Sequence, residues 1–181
     1  MFGRAPPRHI PPMVTGHFAT AYAARARWPR ANMLALLVAS IIPDLADFAL
    51  PHGDRCRTSC ELYTHAVPAV FVLAAAAAFL AWEIFHRRAT SYLVAALVLV
   101  HVAMDLVTGH KPFWPGGPAL GLSLYSHPAA DFALEVILVV IAWVALRRSR
   151  EPSRLAVHPL ALVLLIALQA GMDLWFRHLG G

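Results

Sequence analysis

Histidines and carboxylates stand at helical spacing inside segments that are otherwise apolar. His101 precedes Asp105 by four residues in LVLVHVAMDLVTGH, and His127 precedes Asp131 by four in SHPAADFALEVILVV. Residues four positions apart lie on one face of a helix, one turn from each other. A neutral imidazole and a carboxylate so placed can bind the same divalent metal ion. Because a carboxylate persists in hydrocarbon mainly when it is paired, coordinated or functional, each pair predicts a metal site within membrane helices.

Other histidines and carboxylates are expected near the same end of the apolar segments. Eight of the ten carboxylates and eight of the ten histidines fall on one side of the expected membrane topology. Scattered structural residues would not segregate in this way, so the distribution predicts a shared site. The further candidate residues are His17, Asp44, Asp47, His65, His110 and Glu135.

Each of these further candidates has a structural alternative. His17 could be a polar residue of a weak helix, and His65 a structural histidine. Asp44 and Asp47 could cap helix ends or pair with loop arginines. His110 could be solvated in its loop, and Glu135 could be a ligand, an orienting partner or a base. The sequence leaves these alternatives open.

The composition is that of an integral membrane protein. Of the 181 residues, 59% are apolar and 14% are charged, and the mean hydropathy is +0.61. These values lie outside the range of soluble globular domains. The net charge of +5 comes almost wholly from arginines in connections between apolar runs, which indicates membrane topology; no nucleic-acid partner is expected. The N-terminal segment lacks the pattern of a removable signal peptide, and residues 1–181 are expected to form a single domain.

The apolar segments predict an all-α, polytopic membrane helix bundle of about six helices. Crossing ~30 Å of hydrocarbon takes about 20 residues, and a shorter N-terminal helix, Pro12–Trp28, is marked by prolines at its start. The five full-length segments are Ala31–Leu50, Ala66–Phe85, Tyr92–Thr108, Ala129–Leu146 and Leu155–Phe176. Arginine-rich connections are expected in the cytoplasm and the site near the extracytoplasmic face. Charge alone would favour five helices with the N-terminus inside.

Five short elements follow one another along the chain: His17, Pro43-Asp44-Leu45, Thr64-His65, His101-x-x-x-Asp105-x-x-Thr108 and Trp114-Pro115. In these elements the chain resembles the LexA-regulated, membrane-bound metal-dependent hydrolases, which are small polytopic proteins of bacteria and archaea. The resemblance covers about His17 to Asp131 and implies a hydrolase of the prokaryotic plasma membrane. The chain departs from the family pattern at Cys60-Glu61, Ala66 and Asp47, which affects substrate contacts more than the metal core.

The order of the ligands is also similar to that of the zinc-dependent phospholipases C and single-strand nucleases. That resemblance implies metal ligands at His17, Asp44, His65, His101, Asp105, His110, His127 and Asp131. It further implies that Asp105 bridges two ions and that His17 serves a third.

Histidine and carboxylate ligands suit Zn²⁺, with Mn²⁺ or Fe²⁺ as alternatives. Two or three such ions would activate water and clamp the oxygens of a phosphoryl group. We therefore expect hydrolysis of a phosphoester in a membrane lipid or lipid-linked substrate. The expected catalytic residues are Asp105, Glu135 and Asp47, and the expected headgroup contacts are Arg55, Arg57 and Lys111. The alternatives are a metal-binding or transport protein without hydrolase activity, and a bundle whose polar residues only fix helix packing.

Overall fold

The structure, a computed structural model, describes residues 14–49, 64–109, 111–112, 114 and 117–179. This part of the chain contains seven α-helices: α1 (Val14–Arg27), α2 (Met33–Ala39), α3 (Ile42–Ala49), α4 (Val67–Phe85), α5 (Arg88–Thr108), α6 (Pro128–Arg147) and α7 (Pro159–Leu179). A hairpin pairs β1 (Lys111–Pro112) antiparallel with β2 (Ala119–Leu120), and a 3₁₀ turn, Leu124–Ser126, precedes α6. The predicted all-α bundle is confirmed, with seven helices in place of about six.

Three of the described helices, α4, α5 and α6, are long and apolar enough to cross a membrane. Large apolar side chains such as Phe71, Ile84 and Ile141 remain exposed along them, as lipid-facing residues do in a membrane bundle. The apolar part of α7, Pro159–Trp175, is shorter than these three. The sequence predicts five full-length spans, and the part of the chain that the structure describes contains three.

The prediction of one membrane helix over Ala31–Leu50 is wrong. The segment forms two helices, α2 with seven residues and α3 with eight, separated at Ser40 and Ile41. Pro43 accounts for the break, because proline has no N–H to donate to the carbonyl four residues earlier and its ring crowds that carbonyl. At 1.5 Å per residue, helices of this size are roughly 10 to 12 Å long, so neither can cross the membrane alone.

The helices pack as two pairs linked through α5. α4 and α5 form a hairpin closed by His86 and Arg87, and α1 packs along α6. Small side chains on α4, including Ala74 and Ala77, are buried in the core shared with α5, which permits close helix approach. Because α1, α2 and α3 all contact α5, the C-terminal half of α5 lies among elements that carry predicted ligands.

Candidate metal centre

Five of the predicted ligands meet at one end of the bundle, around the last two turns of α5. Their ligand atoms fall into two groups that share His101, and the atoms within each group lie within 4.8 Å of one another. The first group is His17, His101 and Asp105; the second is Asp44, His65 and His101. We call these five residues the histidine centre. Four of them are buried, whereas the Asp44 side chain is 32% exposed.

Separate chain segments carry the five side chains. His101 and Asp105 are one turn apart on α5, as the spacing predicts, while His17 lies in the first turn of α1 and Asp44 in the first turn of α3. His65 lies two residues before α4 begins. The packing of α1 on α5 stacks the rings of His17 and His101, with centroids 3.7 Å apart and planes inclined by 19°.

The three histidines turn their Nε2 atoms toward the two carboxylates. His65 Nε2 lies 3.2 Å from Asp44 Oδ1 and 3.3 Å from Asp105 Oδ2. His101 Nε2 lies 3.5 Å and 3.7 Å from the same two oxygens. His17 Nε2 lies 3.4 Å from the other oxygen of Asp105. One Asp105 oxygen therefore faces His17, while the second faces His65 and His101.

Hydrogen bonds on the far side of two rings fix their tautomers. His101 Nδ1 lies 2.8 Å from the backbone oxygen of Ser40, and because a carbonyl only accepts, Nδ1 must carry the proton. His65 Nδ1 lies 2.9 Å from Thr64 Oγ1, whose own proton goes to Asp47 Oδ1 at 3.3 Å. His65 Nδ1 therefore donates to Thr64. When these rings are neutral, the Nε2 atom of each keeps its lone pair, as in metal-binding histidines oriented by an outer partner.

These tautomers leave an electron-rich centre. His65 Nε2 and His101 Nε2 lie 3.3 Å apart, so two lone pairs face each other beside two carboxylates. Both ring nitrogens of His17 are buried, and within the described residues the contact of Nε2 with Asp105 Oδ1 at 3.4 Å does not have the geometry of a hydrogen bond. The contact between His65 Nε2 and His101 Nε2 requires a cation, which can be a proton on one ring or a metal ion. Three imidazole nitrogens and two carboxylates are a donor set that fits Zn²⁺.

Comparison with known proteins places the chain in a family. The sequence matches the YdjM inner membrane protein family over residues 12–175. The chain belongs to the YdjM family. The match covers all five residues of the histidine centre and, with the three apolar helices, confirms the predicted membrane protein. No curated protein and no solved structure shows significant similarity to the chain.

A second set of buried polar residues lies between α1, α6 and α7 of this YdjM family member. Glu135 Oε2 accepts hydrogen bonds from Thr15 Oγ1 at 2.8 Å and from the Gly16 N–H at 3.1 Å. Gln169 Nε2 donates to Glu135 Oε1 and to Asp173 Oδ1, both at 3.0 Å. Glu135 thus supplies a negative group to the first turn of α1, which is favourable at a helix N-terminus. It positions the turn that carries His17 and lies outside the histidine centre.

Among the described residues, the structure does not bring the predicted ligands His127 and Asp131 into the histidine centre. His127 is exposed, because α6 begins at Pro128 and His127 precedes its first turn with φ −122° and ψ 75°. Because His127 is not part of the helix, the four-residue spacing does not place it on the same helical face as Asp131. Asp131 is buried, but it does not belong to either group of the histidine centre.

Several other predicted site residues cannot be placed in this geometry. His110, Arg55 and Arg57 lie outside the described residues, and Lys111 is placed only as a backbone position in β1, opposite Leu120. Asp47 contacts the centre indirectly, through Thr64 and His65.

Sequence reasoning missed Tyr125, Thr15 and Gln169. Tyr125 lies against the end of α5, where a Cβ added at Gly109 would be 3.1 Å from its Cε2 atom. Burial raises the pKa of the Tyr125 phenol, although a hydrogen bond with Thr108 opposes the shift, so the group stays neutral. A loop tyrosine carries no spacing signal. Thr15 and Gln169 have none either, since isolated polar residues in weakly apolar helices are common.

The arginine-rich connections lie at the opposite end of the bundle. Arg87, between α4 and α5, donates from Nη1 to the backbone oxygen of Arg30 at 3.3 Å. Arg147 lies in the last turn of α6, with its guanidinium 5.1 Å from the Trp143 ring centroid. The histidine centre, at the N-terminal end of α4 and the C-terminal end of α5, is separated from these arginines by the length of the helices.

Proposed function

We propose that this YdjM family protein is a membrane-embedded, metal-dependent hydrolase that cleaves a phosphoester of a lipid or lipid-linked substrate. One observation carries the proposal: the Nε2 atoms of His65 and His101 face each other at 3.3 Å beside two carboxylates. The nitrogen and oxygen donors favour Zn²⁺, with Mn²⁺ or Fe²⁺ as alternatives.

The residues that would hold the metal are His17, Asp44, His65, His101 and Asp105. The division of Asp105, with Oδ1 toward His17 and Oδ2 toward His65 and His101, supports a bridging role and more than one ion. A third ion, and ligation by His110 or His127, remain parts of the proposal that rest on family resemblance. When bound, divalent ions in such a site supply an activated water and charge stabilisation for phosphoryl transfer.

The side chains in and around the centre have different roles in the proposal. Burial of His17, His65, His101 and Asp105 excludes bulk water, whereas the partial exposure of Asp44 leaves an approach to the centre from the side of α3. Asp47 orients His65 through Thr64, and Glu135 orients the turn of α1 that carries His17. In the proposal these two carboxylates are positioning residues, and Asp105 is the catalytic one.

The location of the centre supports a lipid-linked substrate. It lies at one end of the apolar helices α4 and α5, at the opposite end from Arg87 and Arg147. By the positive-inside rule, the centre would face the extracytoplasmic side at the depth of lipid headgroups. Arg55, Arg57 and Lys111 remain the proposed contacts for an anionic headgroup.

The test is metal content together with hydrolysis by the full chain purified in detergent. Elemental analysis should find at least one zinc-like ion per wild-type chain, mostly lost in Asp105→Ala. His158→Ala, which removes an exposed histidine outside the centre, should keep the metal. Phosphoester lipids in vesicles should then be hydrolysed by wild type and His158→Ala, but not by Asp105→Ala.

The other outcomes separate the alternatives. Bound metal without hydrolysis of any phosphoester lipid, but with metal flux into vesicles, would favour a metal-transport protein. An absence of bound metal after reconstitution would contradict both metal-based functions and leave a packing or proton-transfer network.

A further inference from the structure

An open groove lies on the surface of the α4–α5 hairpin, at the end opposite the histidine centre. Its lining residues are Ala78, Phe79 and Trp82 from the C-terminal half of α4, and Arg88, Ser91 and Tyr92 from the first two turns of α5. The groove has a volume of about 300 Å³, at the lower end of the range for small-molecule sites. We call it the hairpin groove.

The tight connection between α4 and α5 positions the two walls of the hairpin groove. α4 ends at Phe85, His86 adopts a left-handed conformation with φ 50° and ψ 33°, and α5 begins at Arg88. The last turns of α4 therefore lie beside the first turns of α5. Ala78 and Ser91 are small, so the space between the two helices stays open where they face it.

Arg88 brings a positive charge into the groove and forms no ion pair within the described residues, where the ion pairs all involve histidines. Glu83, the carboxylate nearest to it in the chain, does not line the groove. The neighbouring Arg87 is directed elsewhere, to the backbone oxygen of Arg30. A positive charge in the first turn of a helix is unfavourable, so Arg88 does not stabilise α5. The positive-inside rule accounts for arginines in this connection, but not for a guanidinium that lines a groove.

The lining of the groove changes from charged to apolar along the helices. Arg88 lies at the end of the hairpin, whereas Ala78 lies seven residues before the end of α4, roughly 10 Å deeper. Trp82 and Tyr92 lie between these two levels and are 38% and 73% exposed. Tryptophan and tyrosine are enriched where membrane meets water, because each has an apolar ring and a polar group. The groove thus has the polarity of a phospholipid, with a charged end and an apolar end.

We propose that the hairpin groove binds an anionic phospholipid of the cytoplasmic leaflet, with the lipid phosphate at Arg88 and the upper part of an acyl chain beside Ala78 and Phe79. Basic pockets between membrane helices on the cytoplasmic side bind anionic headgroups in this way. The exposed Tyr92 hydroxyl is available as a further donor. A second copy of the chain fits less well, because this end of the molecule is rich in arginine. The site does not depend on the proposed hydrolase activity.

The experiment titrates phosphatidylglycerol onto the full chain in detergent, with phosphatidylcholine as the zwitterionic comparison and native mass spectrometry as the count of bound lipid. Wild type should bind one phosphatidylglycerol more tightly than phosphatidylcholine. Arg88→Gln should weaken phosphatidylglycerol binding by about fivefold, the effect of one arginine near an anionic headgroup, and leave phosphatidylcholine binding unchanged. Arg150→Gln, which removes an exposed arginine between α6 and α7 at the same end, should bind as wild type does. Equal binding of both lipids by wild type, or equal losses in the two variants, would overturn the site.

A second pair of variants tests the groove without changing charge. Ala78→Phe fills the groove and should weaken phosphatidylglycerol binding about as much as Arg88→Gln does. Ala76→Phe adds the same side chain at an exposed position of α4 outside the groove and should have no effect. Wild-type affinity in Ala78→Phe would mean that surface charge alone attracts the lipid, and the proposal would be wrong.

Measurements on wild type alone cover the case in which a variant does not fold. Phosphatidylglycerol with a photoreactive group in its acyl chain should label residues 78–92, and excess phosphatidylcholine should not prevent the labelling. Labelling spread equally over α6 and α7 would contradict a defined site. A wild-type dimer that excludes phosphatidylglycerol would show that a second copy covers the groove, and would also overturn the proposal.

Discussion

The Nε2 atoms of His65 and His101 lie 3.3 Å apart, and hydrogen bonds to Thr64 and Ser40 hold the Nδ1 atoms on the far side of both rings. The two rings are therefore held with their Nε2 atoms facing each other. Rotation of either ring would break a buried hydrogen bond, which typically costs about 1 kcal/mol or more. The protein thus holds both rings with Nε2 turned into the centre through hydrogen bonds outside it.

Metal removal should destabilise the wild-type protein. A ligand present at one hundred times its dissociation constant stabilises the folded state by about 2.7 kcal/mol, so chelator should lower the free energy of unfolding by roughly that amount. The measurement is unfolding in detergent with and without chelator, followed by circular dichroism. His101→Ala removes the residue shared by both ligand groups and should respond much less. An equal response of the two proteins would contradict metal binding at this centre.

Thr64→Val should weaken metal binding without removing a ligand. The change deletes the acceptor for His65 Nδ1 and the link to Asp47, and the loss of such an outer partner typically costs about 10- to 100-fold in metal affinity. Competition with a chromophoric chelator would measure the affinity. Thr90→Val provides the control, because Thr90 is also buried but lies in the first turn of α5, at the other end of the helix. The idea fails if both variants bind metal with the same affinity.

Thr15→Val should destabilise the contact between α1 and α6. Valine cannot donate to Glu135 or Gln169, and a buried carboxylate that loses a donor costs about 1–3 kcal/mol. Thermal unfolding at saturating metal would report the change. Thr20→Val loses only a hydrogen bond within α1, to the His17 carbonyl, and should have a smaller effect. A larger effect of Thr20→Val would refute the role given to Glu135.

Gly121→Ala should disrupt the loop that closes over the end of α5. Gly121 has φ +142°, and an added Cβ would lie 1.9 Å from the backbone oxygen of Gly109. The backbone conformation alone costs a non-glycine residue roughly 1–3 kcal/mol, and the clash adds to it. Limited proteolysis should therefore cut the loop between α5 and α6 faster in the variant. Gly171→Ala is the matched control, since nothing lies within 4 Å of its added Cβ.

Helical periodicity in the sequence predicts the part of the histidine centre that lies on a single helix. His101 and Asp105 lie on a continuous helix, so a four-residue spacing places them on one face. His17, Asp44 and His65 come from three other segments, and no local rule brings them to α5. Their convergence was expected from the distribution of polar residues and from family resemblance, and in the structure it results from the packing of α1, α3 and α4 on α5.

The errors arise where a helix begins or ends. His127 was expected on the same face as Asp131, but it precedes the first turn of α6, so helical periodicity does not apply to it. In the apolar run Ala31–Leu50, Pro43 is a sequence signal for a disturbed backbone, but the length of the run favoured a single helix. The break contributes to the centre, because the carbonyl of Ser40, between α2 and α3, accepts the hydrogen bond from His101 Nδ1.

The separation of His17 and Asp105, 88 residues apart in the chain, sets the order in which the protein can mature. During synthesis α1 is made long before α5, so His17 initially lacks the Asp105 carboxylate beside it. The histidine centre becomes complete only when α5 inserts and docks between the earlier helices. Uptake of the proposed metal would therefore be a late event in biogenesis, and a ribosome stalled before residue 105 would display a nascent chain unable to close the centre.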